Sequence, residues 1–113
     1  MLKWELDFEM LTHIVMWKLR DPLSPPEKSA ALKEIKRRLE ALVGQIPEIG
    51  KFEIGIDISR TSASYDIVLY STFASPAALD AYRRHPAHVA VADFIATVVS
   101  DRKVIDYSIT QYT

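Results

Sequence analysis

Leu11 to Leu19 carries apolar side chains on both faces of a strand, and it constrains the fold more than any other stretch. His13, Val15, Trp17 and Leu19 point one way; Ile14 and Met16 point the other. Such a strand has to be covered on both sides. Tyr65 to Phe73 repeats the pattern, with Ile67, Leu69 and Phe73 on one face and Val68 and Tyr70 on the other. A sheet built on these two strands needs helices on one face and another cover on the opposite one.

The helices are legible between the strands. Ser24-Pro25-Pro26-Glu27 predicts a capped start, with Ser24 as N-cap, Pro25 in the first helical position and Glu27 completing a capping box. Leu32, Ile35, Leu39, Leu42 and Val43 continue it as one apolar stripe, and Gly44 is the expected C′ residue. Ile46 to Gly50 reads as a turn into a half-buried strand, in which Phe52, Ile54, Ile56 and Ile58 alternate with polar or small residues. Ser59 to Ser64 is a polar hairpin loop. Ser75-Pro76 starts a second helix with Leu79 and Tyr82 inward. Pro86 disfavours helix at His85, so this helix breaks and restarts. His88, Val91, Ala92, Ile95, Val98 and Val99 then share a stripe. Asp101-Arg102-Lys103 is the expected turn into a last strand from Val104 to Tyr112. Met1 to Glu9, where Trp4, Leu6 and Phe8 alternate with acidic residues, reads as an N-terminal extension; residues 10–113 form the domain.

The order strand, helix, strand, strand, helix, strand predicts an α+β fold of the ferredoxin-like (βαββαβ) type, with the helices on one face of an antiparallel sheet. A second copy of the chain is the economical cover for the other face. The expected assembly is therefore a homodimer burying about 1,600 Å² or more.

Composition removes several classes of function. The formal net charge of −1 gives no electrostatic basis for binding nucleic acid or an anionic membrane. Lys33, Lys36, Arg37 and Arg38 cluster, but Glu34 and Glu40 interleave with them as on a solvated helix face. The absence of cysteine removes disulfides and thiolate metal sites. No apolar run approaches the ~20 residues of a membrane span. Glu5, Asp7 and Glu9 do not suit a secretory signal, so the expected location is cytoplasmic. A Gly-rich phosphate loop and a Ser-centred elbow are both missing, which argues against nucleotide binding and serine hydrolysis.

Chemistry, if present, is expected at Tyr82-Arg83-Arg84-His85-Pro86-Ala87-His88, where two of the three histidines and a tyrosine meet at a corner set by a proline. A histidine of near-neutral pKa paired with a tyrosine suits acid–base work on an activated carbon without any cofactor. The competing reading makes His88 a buried histidine that bonds Tyr82 or the backbone and fixes the break. His13 is a core histidine unless it shares a cleft with His88, and His85 is expected to cap at the surface. Asp66 and Asp93 are the carboxylates nearest the corner, at no recognisable ligand spacing, so no metal site is expected.

Thr12-His13-Ile14-Val15 on to Lys18, Ile46-Pro47, Tyr65-Asp66-Ile67-Val68, Thr72-Phe73, Ala81-Tyr82, His85-Pro86-Ala87-His88 and Asp106-Tyr107 together give a chain that resembles the stress-responsive α/β-barrel (Dabb) family. The resemblance covers Met10 to about Tyr112. The resemblance implies a ferredoxin-like subunit whose dimer closes a barrel from two sheets. A plant polyketide cyclase of this family implies catalytic roles for Tyr82 and His88 and a pocket position for His13. Ile67 and Leu39 stand where that enzyme has a pocket histidine and a pocket tyrosine, which implies a more apolar, substrate-binding pocket here. The expected ligand is an apolar or aromatic small molecule. The alternatives are a non-catalytic stability dimer of the same fold and, by fold analogy, a cofactor-free monooxygenase of the related dimeric barrels.

Overall fold

The structure is a computed structural model that describes residues 10–109. The expected extension, Met1 to Glu9, lies outside the described residues. The elements are β1 (Leu11–Leu19), α1 (Pro25–Glu40), a 3₁₀ turn (Ala41–Gly44), β2 (Ile49–Ile56), β3 (Ile67–Phe73), α2 (Pro76–Arg84), α3 (Pro86–Ala96) and β4 (Val99–Tyr107). The strands form one antiparallel sheet in the order β2-β3-β1-β4. This is the ferredoxin-like arrangement, with its second helix broken in two. None of the described helices is long and apolar enough to cross a membrane.

The core lies between the helices and one sheet face. Val15, Leu69, Ile67 and Phe73 from the central strands meet Ile35, Leu39, Leu79, Tyr82 and Ile95 from the helices, all essentially buried. The opposite face stays apolar and partly open. Ile14 pairs with Tyr70 on β3 and with Ile105 on β4, and Met16 pairs with Val68. On that face Met16 is 38%, Tyr107 37% and Ile105 58% exposed, far more than a covered strand allows.

α1 begins as the sequence predicts. The Ser24 amide donates to Glu27 Oε1 at 2.8 Å, and the Glu27 amide donates to Ser24 Oγ at 3.2 Å. Ser24→Ala should lower stability by about 1 kcal/mol, read as a shifted urea midpoint. An unchanged midpoint would show that the box contributes nothing.

Other boundaries depart from the sequence reading. Gly44 is not a left-handed C′ residue, since no described glycine has positive φ. α1 instead tightens into the 3₁₀ turn, which satisfies the end carbonyls by i→i+3 bonds such as Gln45 N–H to Leu42 O at 2.9 Å. Leu42 is buried there while Val43 is 52% exposed, because the tighter turn rotates Val43 off the stripe. β2 begins at Ile49, with an irregularity between Ile49 and Phe52. Gly50 is needed at that point: a Cβ would stand 2.7 Å from Thr72 Oγ1 and 2.8 Å from Thr72 O. β3 begins at Ile67, not Tyr65, because Asp66 turns to β1 and accepts from the Leu19 amide at 2.7 Å. β4 begins at Val99, so Asp101, Arg102 and Lys103 are strand residues and not a turn. The turn is Thr97-Val98, whose amides bond Phe94 O and Ile95 O. Polar residues fit β4 because it is an edge strand.

Candidate active site

The break at Pro86 builds the corner. In a continuous helix the Ala87 amide would donate to the Arg83 carbonyl. His85 is extended instead (ψ 133°), and its Nδ1 accepts from the Ala87 amide at 3.0 Å. The Arg83 carbonyl is therefore left to another donor. His88 Nδ1 takes it at 3.0 Å. A carbonyl only accepts, so His88 Nδ1 carries the proton and the neutral ring has its lone pair at Nε2. One proline thus fixes both the place and the tautomer of His88.

Tyr82 stands beside it, with ring centroids 4.4 Å apart. The phenol ring is held by Phe73 at 4.9 Å, Phe52 at 6.1 Å and His13 at 6.2 Å, and it is 1% exposed. Burial pushes its pKa well up, against the weaker downward pull of Arg102 and Arg83. Tyr82 is a proton donor at neutral pH and not a phenolate.

His13 is buried on β1 and bonded through Nδ1 to Asp106 Oδ1 at 2.5 Å. Asp106 faces it directly across the β1–β4 ladder. Arg83 Nη2 donates to the other carboxylate oxygen at 2.7 Å. Burial favours the neutral carboxyl, but the bonds from His13 and Arg83 prevail and hold the Asp106 pKa low. Burial also holds the His13 pKa down, against the upward pull of Asp106. His13 is accordingly neutral, donating from Nδ1, with Nε2 unprotonated. The His88 pKa is lowered by burial first, with the Arg83 carbonyl pulling up and His13 adding a further downward push.

Both histidines thus resist protonation in the folded chain, which sets a pH dependence. The unfolded imidazole titrates near 6.5. Between that value and the lower folded value the unfolded state binds more protons, so stability rises with pH there. The contribution is fully present above about pH 6.5 and is lost as pH falls through the folded values. Urea unfolding from about pH 7.5 down to about pH 5 should show this decline, and His13→Gln with His88→Gln together should flatten it. Stability that stays level or grows on acidification over that range would contradict it.

These side chains line a cavity of about 410 Å³ between sheet and helices. Its wall is apolar, from Val15, Leu39, Leu69, Val91 and Ile95, and its rim is formed by the exposed Ala92, Ala96, Ser100 and Arg102 with the half-buried Asp101. His13, Tyr82, His88 and Leu39 are brought together here. Ile67 is not on the wall; it lies buried in the core, and its cross-strand neighbour Trp17 takes the place on the cavity. A second hollow of about 600 Å³ lies around the α1 start and the β2–β3 loop, where Asp66 and Asp57 already accept backbone amides and Asp21 is paired with Lys28. Among the described residues no three His, Asp or Glu side chains converge as a metal site would require.

Sequence reasoning missed Asp106, naming Asp66 and Asp93 instead, because only the β4 register places it against His13. It also missed Arg83 as that carboxylate's second partner. Asp106 already lay inside the expected strand from Val104, but its partner on β1 follows from the register alone.

The sequence profile of the stress responsive A/B barrel domain (Dabb) matches residues 11–109. A relative, the stress-response A/B barrel domain-containing protein HS1 of Arabidopsis thaliana, is 30% identical over 100 residues, covering 87% of this chain and 88% of that protein. A dimeric protein of unknown function and ferredoxin-like fold from Bacteroides fragilis superposes with a TM-score of 0.81 at 34% identity, over 88% of this chain and 96% of that one. A hydroxynitrile lyase from Passiflora edulis superposes with a TM-score of 0.78 at 20% identity, over 94% and 98% of the two chains, a likeness of fold alone.

Proposed function

The chain belongs to the stress responsive A/B barrel (Dabb) domain family, and from that premise we propose a homodimer that takes an apolar or aromatic small molecule into the cavity. Tyr82 and His88 then act on it by cofactor-independent acid–base chemistry of the lyase or cyclase kind. The observation that carries this reading is the pair itself: a neutral imidazole with its lone pair at Nε2, 4.4 Å between ring centres from a buried phenol, on an apolar cavity of about 410 Å³. His88 takes a proton from an activated carbon, and Tyr82 donates a hydrogen bond to the oxygen on which charge develops. His13, with its tautomer set by Asp106, supplies a second acceptor in the same space.

Dimerisation rests on the open sheet face and on the dimeric relative from Bacteroides fragilis. A structural role for the pair has one observation in its favour, the His88 bond to Arg83 O that ties α2 to α3. The two readings part on binding. Small aromatic and aliphatic carbonyl compounds, titrated at millimolar concentration, should move the ring resonances of His88 and Tyr82. Resonances that stay fixed across such a panel would leave the structural role alone.

A further inference from the structure

The rim of the cavity holds a cation that no other side chain among the described residues pairs with. Arg102 lies on β4 opposite Trp17, which puts it on the helix-facing side of the sheet, and it lines the cavity. The other arginines near the site are engaged. Arg83 is bonded to Asp106 at 2.7 Å, and Arg38 is bonded to Glu34 at 2.7 Å and stacked 3.7 Å over the Phe94 ring. Arg102 makes no ion pair among the described residues. Its neighbour Asp101 does not neutralise it. Asp101 also lines the cavity, but its carboxylate is taken up by the Tyr65 hydroxyl and by the Arg102 backbone amide, with Lys103 also near. The cavity is thus a largely apolar sleeve, with the Tyr82–His88 pair inside and, at its mouth, a guanidinium free of ion pairs among the described residues beside a carboxylate bonded elsewhere.

We infer that the ligand is an organic acid: an apolar or aromatic body that fills the sleeve, with a carboxylate held at the rim by Arg102. The guanidinium offers paired N–H donors that suit a carboxylate. It also lies close enough to bias His13 and His88 against protonation and the Tyr82 phenol towards ionisation. A bound carboxylate at Arg102 offsets that field, so ligand binding itself makes His88 a better base. Arg102 is a positioning and specificity residue; the proton transfer stays with His88 and Tyr82. The inference rests on the cavity being a binding site, and the test separates the two.

Matched pairs serve as probes: phenylacetate against phenylacetamide, and hexanoate against hexanamide. Dissociation constants come from titration followed at the His88 and Tyr82 ring resonances. Each acid should bind about three- to tenfold tighter than its amide at low salt. Raising ionic strength should narrow that gap, because the rim is exposed. Arg102→Gln should bring acid and amide together. Amides that bind as well as the acids, with Arg102→Gln changing neither ratio, would overturn the organic-acid inference and leave the cavity reading standing. Acid preference that survives Arg102→Gln would overturn the assignment to Arg102. No shift at either ring with any probe would remove the cavity reading and this inference together.

Discussion

Replacing Ile105 with glutamate should turn the protein from a dimer into a monomer at micromolar concentration. Ile105 is 58% exposed in the single chain, so the substitution costs the subunit little. It sits beside Ile14 on the sheet face away from the helices, with Met16, Tyr70 and Tyr107 around it. In a two-fold interface every substitution appears twice. Two carboxylates introduced into an apolar contact, at about 2 kcal/mol each, weaken association on the order of 10³-fold. Sedimentation velocity on the unaltered chain and on Ile105→Glu reads the change, and far-ultraviolet circular dichroism checks that the subunit still folds. Met16→Glu should act in the same way from the neighbouring strand. A variant that remains dimeric would place the interface elsewhere and leave this apolar face unexplained.

The open face was legible because period-two alternation reports both sides of a strand at once. Ile14 and Met16 on β1, with Val68 and Tyr70 on β3, needed no register to be recognised as a second apolar surface. The start of α1 was legible for a related reason: Ser24 and Glu27 act on each other within one turn. The corner at Pro86 was local too. What stayed hidden depended on contacts distant in sequence. Asp101, Arg102 and Lys103 look like a turn in isolation. They pair as a strand because β1 supplies a ladder for them. Asp106 was inside the expected strand, but the register that makes it the partner of His13, 93 residues away, is again a long-range contact. The tautomer of His88 was hidden as well, although every residue that sets it lies between Arg83 and His88. A sequence gives the break, but which donor then claims the freed carbonyl is decided by the geometry of the restarted helix.

His88→Ala should abolish proton transfer at the cavity while leaving the dimer intact. The assay needs only a carbon acid that binds, such as a small ketone or diketone, and reads exchange of its activated protons for deuterium. His88 is the base because its Nδ1–H is committed to the Arg83 carbonyl and Nε2 remains available. Its lowered pKa keeps it neutral at physiological pH, so the rate should rise as pH increases through that value, below the ordinary 6.5, and then level off. The plateau should extend into alkaline solution, because burial keeps the Tyr82 phenol protonated well beyond its ordinary range. Tyr82→Phe should cut the rate by about 10²–10⁴-fold, the usual worth of one positioned proton donor. Phenylalanine keeps the ring that packs against Phe73 and Phe52, so that loss would belong to the hydroxyl. A structural role predicts a different pattern. His88→Ala would then lower stability by about 1–3 kcal/mol through the unsatisfied Arg83 carbonyl, Tyr82→Phe would change little, and exchange would be no faster than in buffer. Exchange at the buffer rate in the unaltered protein, with a compound that demonstrably shifts the His88 resonance, would end the catalytic assignment of the pair.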